Sequence, residues 1–281
     1  MIHMRILTDM MQSRKKSCRS FRCAHAVVNI YSKKKPFTTM TSGVAKNVNQ
    51  IFGKTSGKIS WKVWMLMVEM IVLKDREEWL KNRDRIGGSD ASSILGLNPY
   101  RSNVELWQIK TGQLVPEDIS EKPYVKYGTN AEQHLRELFK LDFPEYQVFY
   151  EENNMWLNDK YPFAHASLDG WLIDQDGRKG IWECKTTNIL QSMQKEKWNN
   201  RIPDNYYIQL LHYFLVTEFE FAVLKAQLKS EFDGEIYLQT KHYKIERSEV
   251  EADIKFLESS ERKFWKQVQE RRRPDLILPE I

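Results

Sequence analysis

Two short motifs place acidic and basic side chains within reach of each other. Asp169 precedes a glycine, and Glu183-Cys184-Lys185 begins fourteen residues later. Side chains alternate along a strand, so Glu183 and Lys185 are expected on one face. If residues 168–173 and 180–186 pair across the Asp176-Gly177 turn, Asp169 lies close to Glu183. Two carboxylates held together repel each other unless a cation lies between them.

Divalent cations fit this pair of carboxylates. Hard oxygen ligands favour Mg²⁺ or Mn²⁺, and Lys185 is suited to polarising a water or steadying a phosphate. The competing interpretation is an ordinary ion pair between Glu183 and Lys185 on an exposed strand. The apolar residues Ile181, Trp182 and Cys184 indicate one apolar face, so the polar face is expected to line a cleft.

Three further polar residues have both a structural and a functional interpretation. Thr129 and Glu132 have the spacing of a capping box, in which case Thr129 would cap a helix. Glu132 could instead complete the acidic site. Gln209 lies off the apolar stripe of its helix and could face the same cleft, or be an ordinary polar helix position. His212 is interpreted as a partly buried neutral histidine rather than a ligand.

The elements that would position these residues are read from hydrophobic periodicity, caps and turns. Helices are expected over residues 75–82, from Ser89 or Asp90 to residue 97, over 102–112, from residue 127, from Pro203, and from Ser248, with Glu251 as capping partner, to Pro274. Strands are expected over residues 147–150, 155–157, 168–173, 180–186, 219–228 and 235–245. Two hairpins turn at Asp176-Gly177 and Asp233-Gly234. The order predicts a mixed α/β, or α+β, domain.

Charge is distributed unevenly along the chain. The 281 residues carry +5 overall, yet residues 1–60 hold twelve basic residues and one acidic residue. Residues 1–70 are therefore predicted to be a basic, disordered extension and residues 71–281 the folded domain. The extension could add sequence-independent phosphate contacts, and removing residues 1–64 is expected to leave turnover largely intact.

The cysteine count and the hydropathy indicate in which cellular compartment the protein is expected. Three cysteines are too few for a disulfide scaffold, and the longest apolar run, over residues 63–73, is too short to span a bilayer. A cytoplasmic protein with no membrane partner is expected. The acid-poor, Arg- and Ser-rich extension leaves a mitochondrial presequence as the alternative.

Several motifs together resemble the YqaJ viral recombinase group of lambda-exonuclease-like PD-(D/E)xK nucleases. The resemblance covers residues 75–225 and rests on IGGSDASSILGLNPY (86–100), ELWQIKTG (105–112), YGTNAE (127–132), LDG (168–170), ECK (183–185) and YYIQ (206–209). It implies a restriction-endonuclease-like core, with a central mixed sheet flanked by helices.

The resemblance also implies roles for individual residues. Asp169, Glu183 and the helix acid Glu132 would bind metal with the Cys184 carbonyl, and Lys185 would be catalytic. Gln209 matches a glutamine of the family's later helix. Ser89 matches the serine that receives a terminal 5′-phosphate. The arginine that accompanies this serine is usually six or seven residues earlier, which favours Arg83, with Arg85 as a substitute, because Asn82 occupies the farther position.

The activity implied is a Mg²⁺- or Mn²⁺-dependent 5′→3′ exonuclease of phage or prophage origin. It would degrade one strand of linear duplex DNA and leave a 3′ single strand for an annealing protein, as a ring-shaped homotrimer. An endonuclease of the same fold, such as a junction or restriction-like enzyme, is the alternative. A non-catalytic DNA-binding module is disfavoured because Asp169, Glu183 and Lys185 are all present.

Overall fold

A mixed five-stranded sheet forms the centre of this computed structural model, which describes residues 68–278. The strand order is β2-β4-β5-β6-β7, with β5 and β6 parallel and the other neighbours antiparallel. A separate antiparallel pair joins β1 to β3. The strands are β1 Val68–Val72, β2 Gln147–Phe149, β3 Asn154–Asn158, β4 Gly170–Ile173, β5 Lys179–Asn188, β6 Phe221–Phe232 and β7 Glu235–Glu246.

Helices pack on both faces of this sheet. They are α1 Arg76–Lys81, α2 Gly88–Ile94, α3 Asn103–Lys110, α4 Pro123–Asp142, α5 Ser192–Glu196, α6 Asp204–Thr217 and α7 Glu251–Gln269, with a 3₁₀ turn at Arg247–Glu249. The predicted class, a mixed sheet flanked by helices, is confirmed.

Each face of the sheet has its own apolar core. On one face, Leu135 and Phe139 of α4 pack on Trp182, Cys184 and neighbouring strand residues. On the other face, the larger core joins the sheet to α2, α6 and α7. The amphipathic stripe of α4 and the apolar stripe of α6 therefore cover opposite sides of β5.

Both predicted hairpin turns are present. Asp233 and Gly234 have φ of 51° and 79°, and they join the paired strands β6 and β7. Positive φ at both central residues is the geometry that Asp-Gly hairpin turns favour. Asp176-Gly177 lies between β4 and β5 as expected, so the register that brings Asp169 beside Glu183 is also present.

The predicted helix starts were wrong in three places. Helix α2 is capped by Gly87 rather than by Ser89 or Asp90, and the Asp90 side chain accepts the Gly87 N–H. Helix α4 begins at Pro123, so Thr129 lies inside it and caps nothing. Proline is favoured at the first helical position because its φ is already helical and it lacks an N–H that would stay unbonded there.

The last helix is also shorter than predicted. A 3₁₀ turn occupies residues 247–249, and α7 starts at Glu251 and ends at Gln269, before Pro274. Glu251 does not act as a capping-box partner of Ser248, because its carboxylate pairs with Arg247 at 2.9 Å. The short-range pairing between Arg247 and Glu251 replaces the predicted cap.

The predicted boundary at residue 70 falls within strand β1. Val68 and Met70 already pair with β3, at Asn158 and Trp156. The folded part therefore includes residues 68–70, and the rest of the predicted extension, residues 1–67, lies outside the described residues. Within residues 68–278, no helix is long and apolar enough to cross a membrane.

Candidate active site

The edge of strand β5 is uncovered beyond the end of β4. The β4–β5 ladder stops at the pair Gly170 and Trp182, and Asp169 lies just outside it. The Asp169 Oδ2 accepts the Cys184 N–H at 3.1 Å. The N–H and C=O of one strand residue point to the same edge, so the Cys184 carbonyl also faces Asp169. These two predicted metal ligands therefore lie together.

Glu183 and Lys185 share one face of β5, as predicted. The Glu183 Oε1 accepts hydrogen bonds from Lys185 Nζ at 2.5 Å and from Gln209 Nε2 at 3.0 Å. Gln209 thus faces the same site, as its position off the apolar stripe indicated. However, this face packs beneath α6, and Glu183 is only 1% exposed. The sequence predicted that this polar face lines a cleft, but Glu183 does not line an open one.

Glu132 approaches the cluster from helix α4. It is half-buried, and its charge interacts with those of Asp169 and Lys185. Burial, followed by the neighbouring Asp169 carboxylate, raises the pKa of Glu132 from 4.5 to about 7. The capping interpretation was wrong, and Glu132 instead adds a third carboxyl group beside Asp169 and Glu183.

The cluster is short of positive charge. Burial, followed by the Asp169 carboxylate, raises the pKa of Glu183 despite its bond to Lys185. Burial alone would lower the pKa of Lys185, but the Glu183 and Asp169 carboxylates hold it well above its ordinary value. In addition, the buried Glu183 Oε2 has no hydrogen-bond partner. A buried carboxylate oxygen without a partner is costly, so the site favours an added cation.

The oxygen ligands that this site offers are of the chemical type that Mg²⁺ or Mn²⁺ prefers. Three carboxylates and a main-chain carbonyl are the hard oxygen ligands that these ions prefer. In the described residues, no three His, Cys, Asp or Glu side chains are grouped so that they hold one ion together. Instead, Asp169 Oδ2 and Glu183 Oε1 accept hydrogen bonds from protein N–H groups, while Glu183 Oε2 has no hydrogen-bond partner.

Two positioning residues were not found from the sequence. Arg136, one turn after Glu132 on α4, donates to the Asp169 carbonyl at 2.8 Å. The Tyr213 hydroxyl accepts a hydrogen bond from Gln209 Nε2 at 2.7 Å. The Tyr213 ring lies so close to Gly88 that an added Cβ would stand 2.5 Å from it. The i, i+4 spacing of Glu132 with Arg136 and of Gln209 with Tyr213 is the signal that could have found them.

A second, cationic region lies around Ser89. The exposed Ser89 hydroxyl accepts a hydrogen bond from Arg83 at 3.4 Å. Arg83 and Arg76 both lie over the Trp79 ring, with guanidinium carbons 4.5 and 4.0 Å from its centroid. Burial, followed by the Arg83 charge, lowers the pKa of Arg76. A guanidinium on the Ser89 hydroxyl, with a second arginine on the same Trp79 ring, is an arrangement suited to binding an anion.

Of the two predicted arginines, Arg83 is the one that contacts Ser89. No contact between the Arg85 guanidinium and Ser89 occurs in the described structure, and Arg85 contributes its carbonyl, which accepts from Lys110 at 2.5 Å. Lys110 also donates to the Arg83 carbonyl at 3.1 Å. Arg101 donates to the Ser89 carbonyl at 3.3 Å. Lys110 and Arg101 therefore shape the segment that presents Arg83 and Ser89.

The anionic and cationic regions are neighbours. The charge of Arg76 interacts with those of both Arg83 and Glu132. Tyr213 touches α2 through Gly88 and the acidic cluster through Gln209. The site can therefore bind a divalent cation and an anionic group side by side.

Comparisons with known proteins match this chain to one family. The model of the YqaJ-like viral recombinase domain matches residues 78–220. The uncharacterized protein YqaJ of Bacillus subtilis strain 168 is 34% identical over 192 residues, which is 68% of this chain. The chain spans 55% of the length of that relative.

Solved structures with a similar arrangement were also found. An alkaline exonuclease from Laribacter hongkongensis gives a TM-score of 0.49 at 18% identity, covering 70% of this chain and 94% of its own. A phage-related exonuclease from Haemophilus somnus 129PT gives 0.44 at 15% identity, covering 66% and 96%. The family match shows that this chain belongs to the YqaJ-like viral recombinase domain family.

Proposed function

We propose that this protein is a metal-dependent deoxyribonuclease of the lambda-exonuclease type. It degrades one strand of linear duplex DNA in the 5′→3′ direction from a 5′-phosphorylated end. The remaining 3′ single strand serves phage-type recombination through an annealing protein, in the bacterial cytoplasm, and the active form is a homotrimer. Membership of the YqaJ-like family supports the nuclease class, and the neighbouring acidic and cationic regions support the direction and the substrate end.

The observation that carries this proposal is the charge deficit of the acidic cluster. Asp169 and Glu183 are held together although Lys185 does not neutralise them, and Glu183 Oε2 is buried without a partner. A protein bears such a cost where a ligand compensates for it. A divalent cation and the phosphate that it accompanies are the ligands that match these charges.

Each residue of the cluster has a distinct role in hydrolysis. Glu132, Asp169, Glu183 and the Cys184 carbonyl would hold Mg²⁺ or Mn²⁺. When bound, the ion neutralises charge on the scissile phosphate and favours deprotonation of the attacking water. The Lys185 ammonium, 20% exposed at the rim, donates to the phosphate oxygen on which charge develops. The Gln209 amide donates to Glu183 and orients that carboxylate.

The cationic region selects the end of the substrate. The Ser89 hydroxyl and the Arg83 guanidinium bind the terminal 5′-phosphate, and Arg76 adds positive charge towards the acidic cluster. Main-chain groups of α2 contribute little, because α2 is only seven residues long and the Gly87 N–H already bonds to Asp90. Side-chain charge and the serine hydroxyl therefore provide most of the selectivity.

The first experiment tests the chemistry. Linear duplex DNA is incubated with wild type, Asp169→Ala, Glu183→Gln and Lys185→Ala at several Mg²⁺ or Mn²⁺ concentrations, and folding is followed by circular dichroism. Activity should require the metal, and each substitution should lower it by at least about a hundredfold. Glu77→Gln, on the exposed face of α1, is the control. Retained activity in folded Asp169→Ala or Glu183→Gln would overturn the assigned site.

The second experiment separates an exonuclease from an endonuclease. Duplexes with 5′-phosphate or 5′-hydroxyl ends are compared with covalently closed circles. Ser89→Ala and Arg83→Gln should each lower cutting of phosphorylated ends by about tenfold to a hundredfold, since each removes a hydrogen bond to a charged group. Arg85→Gln is the matched control and should behave as wild type. Rapid cutting of closed circles, or equal cutting of both ends by wild type, would favour the endonuclease.

A further inference from the structure

A buried histidine and a buried glutamate lie outside the acidic cluster and take no part in the proposed hydrolysis. His212, on α6, and Glu261, on α7, are both 0% exposed. The His212 Nδ1 lies 2.7 Å from Glu261 Oε1, and its Nε2 lies 2.8 Å from the His165 carbonyl oxygen. A carbonyl oxygen only accepts hydrogen bonds, so the His212 Nε2 carries a proton and donates to His165.

The carbonyl that accepts this bond belongs to a segment, residues 163–169, that contacts both regions of the site. At its start, the Ile86 N–H donates to the first carbonyl of the segment at 2.8 Å, and the Ile86 carbonyl accepts the His165 N–H at 2.9 Å. The His165 ring also packs on the turn that begins α2, because a Cβ added at Gly87 would stand 3.0 Å from it. The start of the segment is therefore fixed to the chain that leads into Ser89.

The same segment ends at the acidic cluster. Asn154, on β3, accepts the Leu168 N–H and donates to the Leu168 carbonyl, both at 2.9 Å. The next residue is Asp169, whose Oδ2 accepts the Cys184 N–H at 3.1 Å. Asp169 follows His165 by four residues. Since a close-packed interior transmits displacements, a shift of the His165 carbonyl would also move the Asp169 carboxylate.

We propose that His212 is a positioning residue that sets the spacing between the Ser89 hydroxyl and the Asp169 carboxylate. It acts through its Nε2–H, which holds one carbonyl of the segment 163–169. This inference rests on the proposed function. The terminal phosphate would bind at one end of the segment and the scissile phosphate at the other, so their spacing has to match two phosphates of one DNA strand. A misplacement of about 1 Å can lower a rate by about a hundredfold.

The arrangement of the buried pair favours positioning over a purely stabilising role. A buried polar pair is often no more stabilising than apolar side chains of the same volume. Within residues 68–278, the buried Glu261 Oε2 has no hydrogen-bond partner, so the pair is not arranged for stability alone. A carboxylate on Nδ1 fixes the orientation of the His212 ring. Gln209, three residues before His212 on α6, donates to Glu183, so the same helix bonds to the segment and to the acidic cluster.

Two substitutions distinguish the two bonds of His212. The amide nitrogen of Gln reaches about as far as Nε2, and that of Asn about as far as Nδ1. His212→Gln therefore keeps a donor for the His165 carbonyl, whereas His212→Asn does not. Cleavage rates are measured with saturating enzyme in Mg²⁺ on linear duplexes with a 5′-phosphate or a 5′-hydroxyl. The ratio of the two rates should fall by about tenfold in His212→Asn and stay close to wild type in His212→Gln.

Binding distinguishes a changed spacing from a lost phosphate contact. Kd for the phosphorylated end is measured by fluorescence anisotropy in EDTA. It should remain close to wild type in His212→Asn, because Ser89 and Arg83 are unchanged. The double variant His212→Leu, Glu261→Leu covers the case in which His212→Asn does not fold, since apolar partners of similar volume often preserve stability. It also lacks the donor and should show the same fall in the ratio of rates.

The control variant is Leu257→Ala. Leu257 is fully buried on α7, one turn before Glu261, and its truncation lowers stability without removing a hydrogen bond. Below its melting temperature, this variant should keep the ratio of rates that wild type shows.

The outcomes separate this inference from the proposed function. An unchanged ratio of rates in His212→Asn or, where that variant does not fold, in the double variant would overturn the inference alone and show that His212 only stabilises the core. A fall shared by Leu257→Ala or by His212→Gln, or a weaker Kd in His212→Asn, would also overturn it. No cleavage by wild type, or equal rates on both ends, would overturn the proposed function and this inference with it.

Discussion

Asp90 and Glu183 are both buried carboxylates, but the charges around them differ in sign. Asp90 is 4% exposed and Glu183 is 1% exposed. Asp90 pairs with Arg101 at 2.7 Å and with Lys110 at 2.8 Å, and it also accepts the Gly87 N–H. Glu183 has the ammonium of Lys185, but it faces the carboxylate of Asp169 and leaves one oxygen without a partner.

The difference is visible in the pKa of each group. Burial would raise the pKa of Asp90, but Lys110 and Arg101 outweigh it and hold that pKa well below its ordinary range. For Glu183, burial and Asp169 act in the same direction and raise the pKa. A buried carboxylate with surplus positive charge around it stabilises the fold, whereas one with a deficit marks a place for a ligand.

Replacing Asp90 should have the largest effect on stability. Asp90→Asn keeps the shape but leaves Lys110 and Arg101 without their counterion, and the free energy of unfolding should fall by about 3–5 kcal/mol. Urea denaturation followed by circular dichroism measures it. The control is Glu77→Gln, which breaks the exposed pair with Lys81 and should cost less than about 1 kcal/mol. Equal losses in the two variants would remove the distinction between the two carboxylates.

Raising the pH should lower the free energy of unfolding by an intermediate amount, through Glu132. The folded pKa of Glu132 is about 7, above its ordinary value of 4.5, so its contribution to stability is present at low pH. That contribution is lost as pH rises from about 4.5 to 7, by about 2 kcal/mol in metal-free buffer. The depressed pKa of Asp90 keeps its own contribution constant across this range.

Comparing wild type with Glu132→Gln isolates this contribution. The pKa values of two buried histidines are also shifted, so they too contribute to the pH dependence of stability. Burial would lower the pKa of His212, but Glu261 raises it. Burial lowers the pKa of His165 to about 3. Their effects cancel in the difference between the two proteins. Stability of Glu132→Gln should fall less between pH 5 and 8. Parallel pH curves for both proteins would contradict the charge deficit.

Replacing Glu183 should have the smallest effect on stability. Glu183→Gln resembles the protonated acid that burial favours, so at pH 8 without metal its free energy of unfolding should equal or exceed that of wild type. Mg²⁺ should stabilise wild type more than the variant, because binding to the folded state adds stability. Thermal unfolding with and without Mg²⁺ measures both. A large loss for metal-free Glu183→Gln would place Glu183 with Asp90 among the stabilising carboxylates.

Local signals predicted some of the elements well and others poorly. The Asp-Gly turns and the alternation around Glu183 predicted the hairpins and the shared face of Glu183 and Lys185, because both depend on neighbouring residues alone. Caps were predicted less well, since a Ser, Thr or Asp near a helix start offers a bond that the fold can make elsewhere. Asp90 illustrates this, because it accepts the Gly87 N–H and also meets two distant cations.

Burial was also decided by the fold. His212 was expected to be partly buried and neutral, yet it is fully buried and its Nδ1 lies 2.7 Å from Glu261, 49 residues away. Glu261 raises its pKa, although burial acts in the opposite direction. The hydrophobic pattern of one helix shows which of its faces is apolar. It does not show which charged group the next helix brings to a residue on that face.

The sequence by itself determined the chemistry that is available and its order along the chain. Asp169, Glu183 and Lys185, the turn between their strands and the family motifs are all local features. Only the tertiary structure decided which groups share an environment: Gln209 on Glu183, Arg136 on Asp169, and Arg83 on Ser89. The physical reason is that charge, desolvation and hydrogen bonding act through space, so the state of each group depends on neighbours that are distant in sequence.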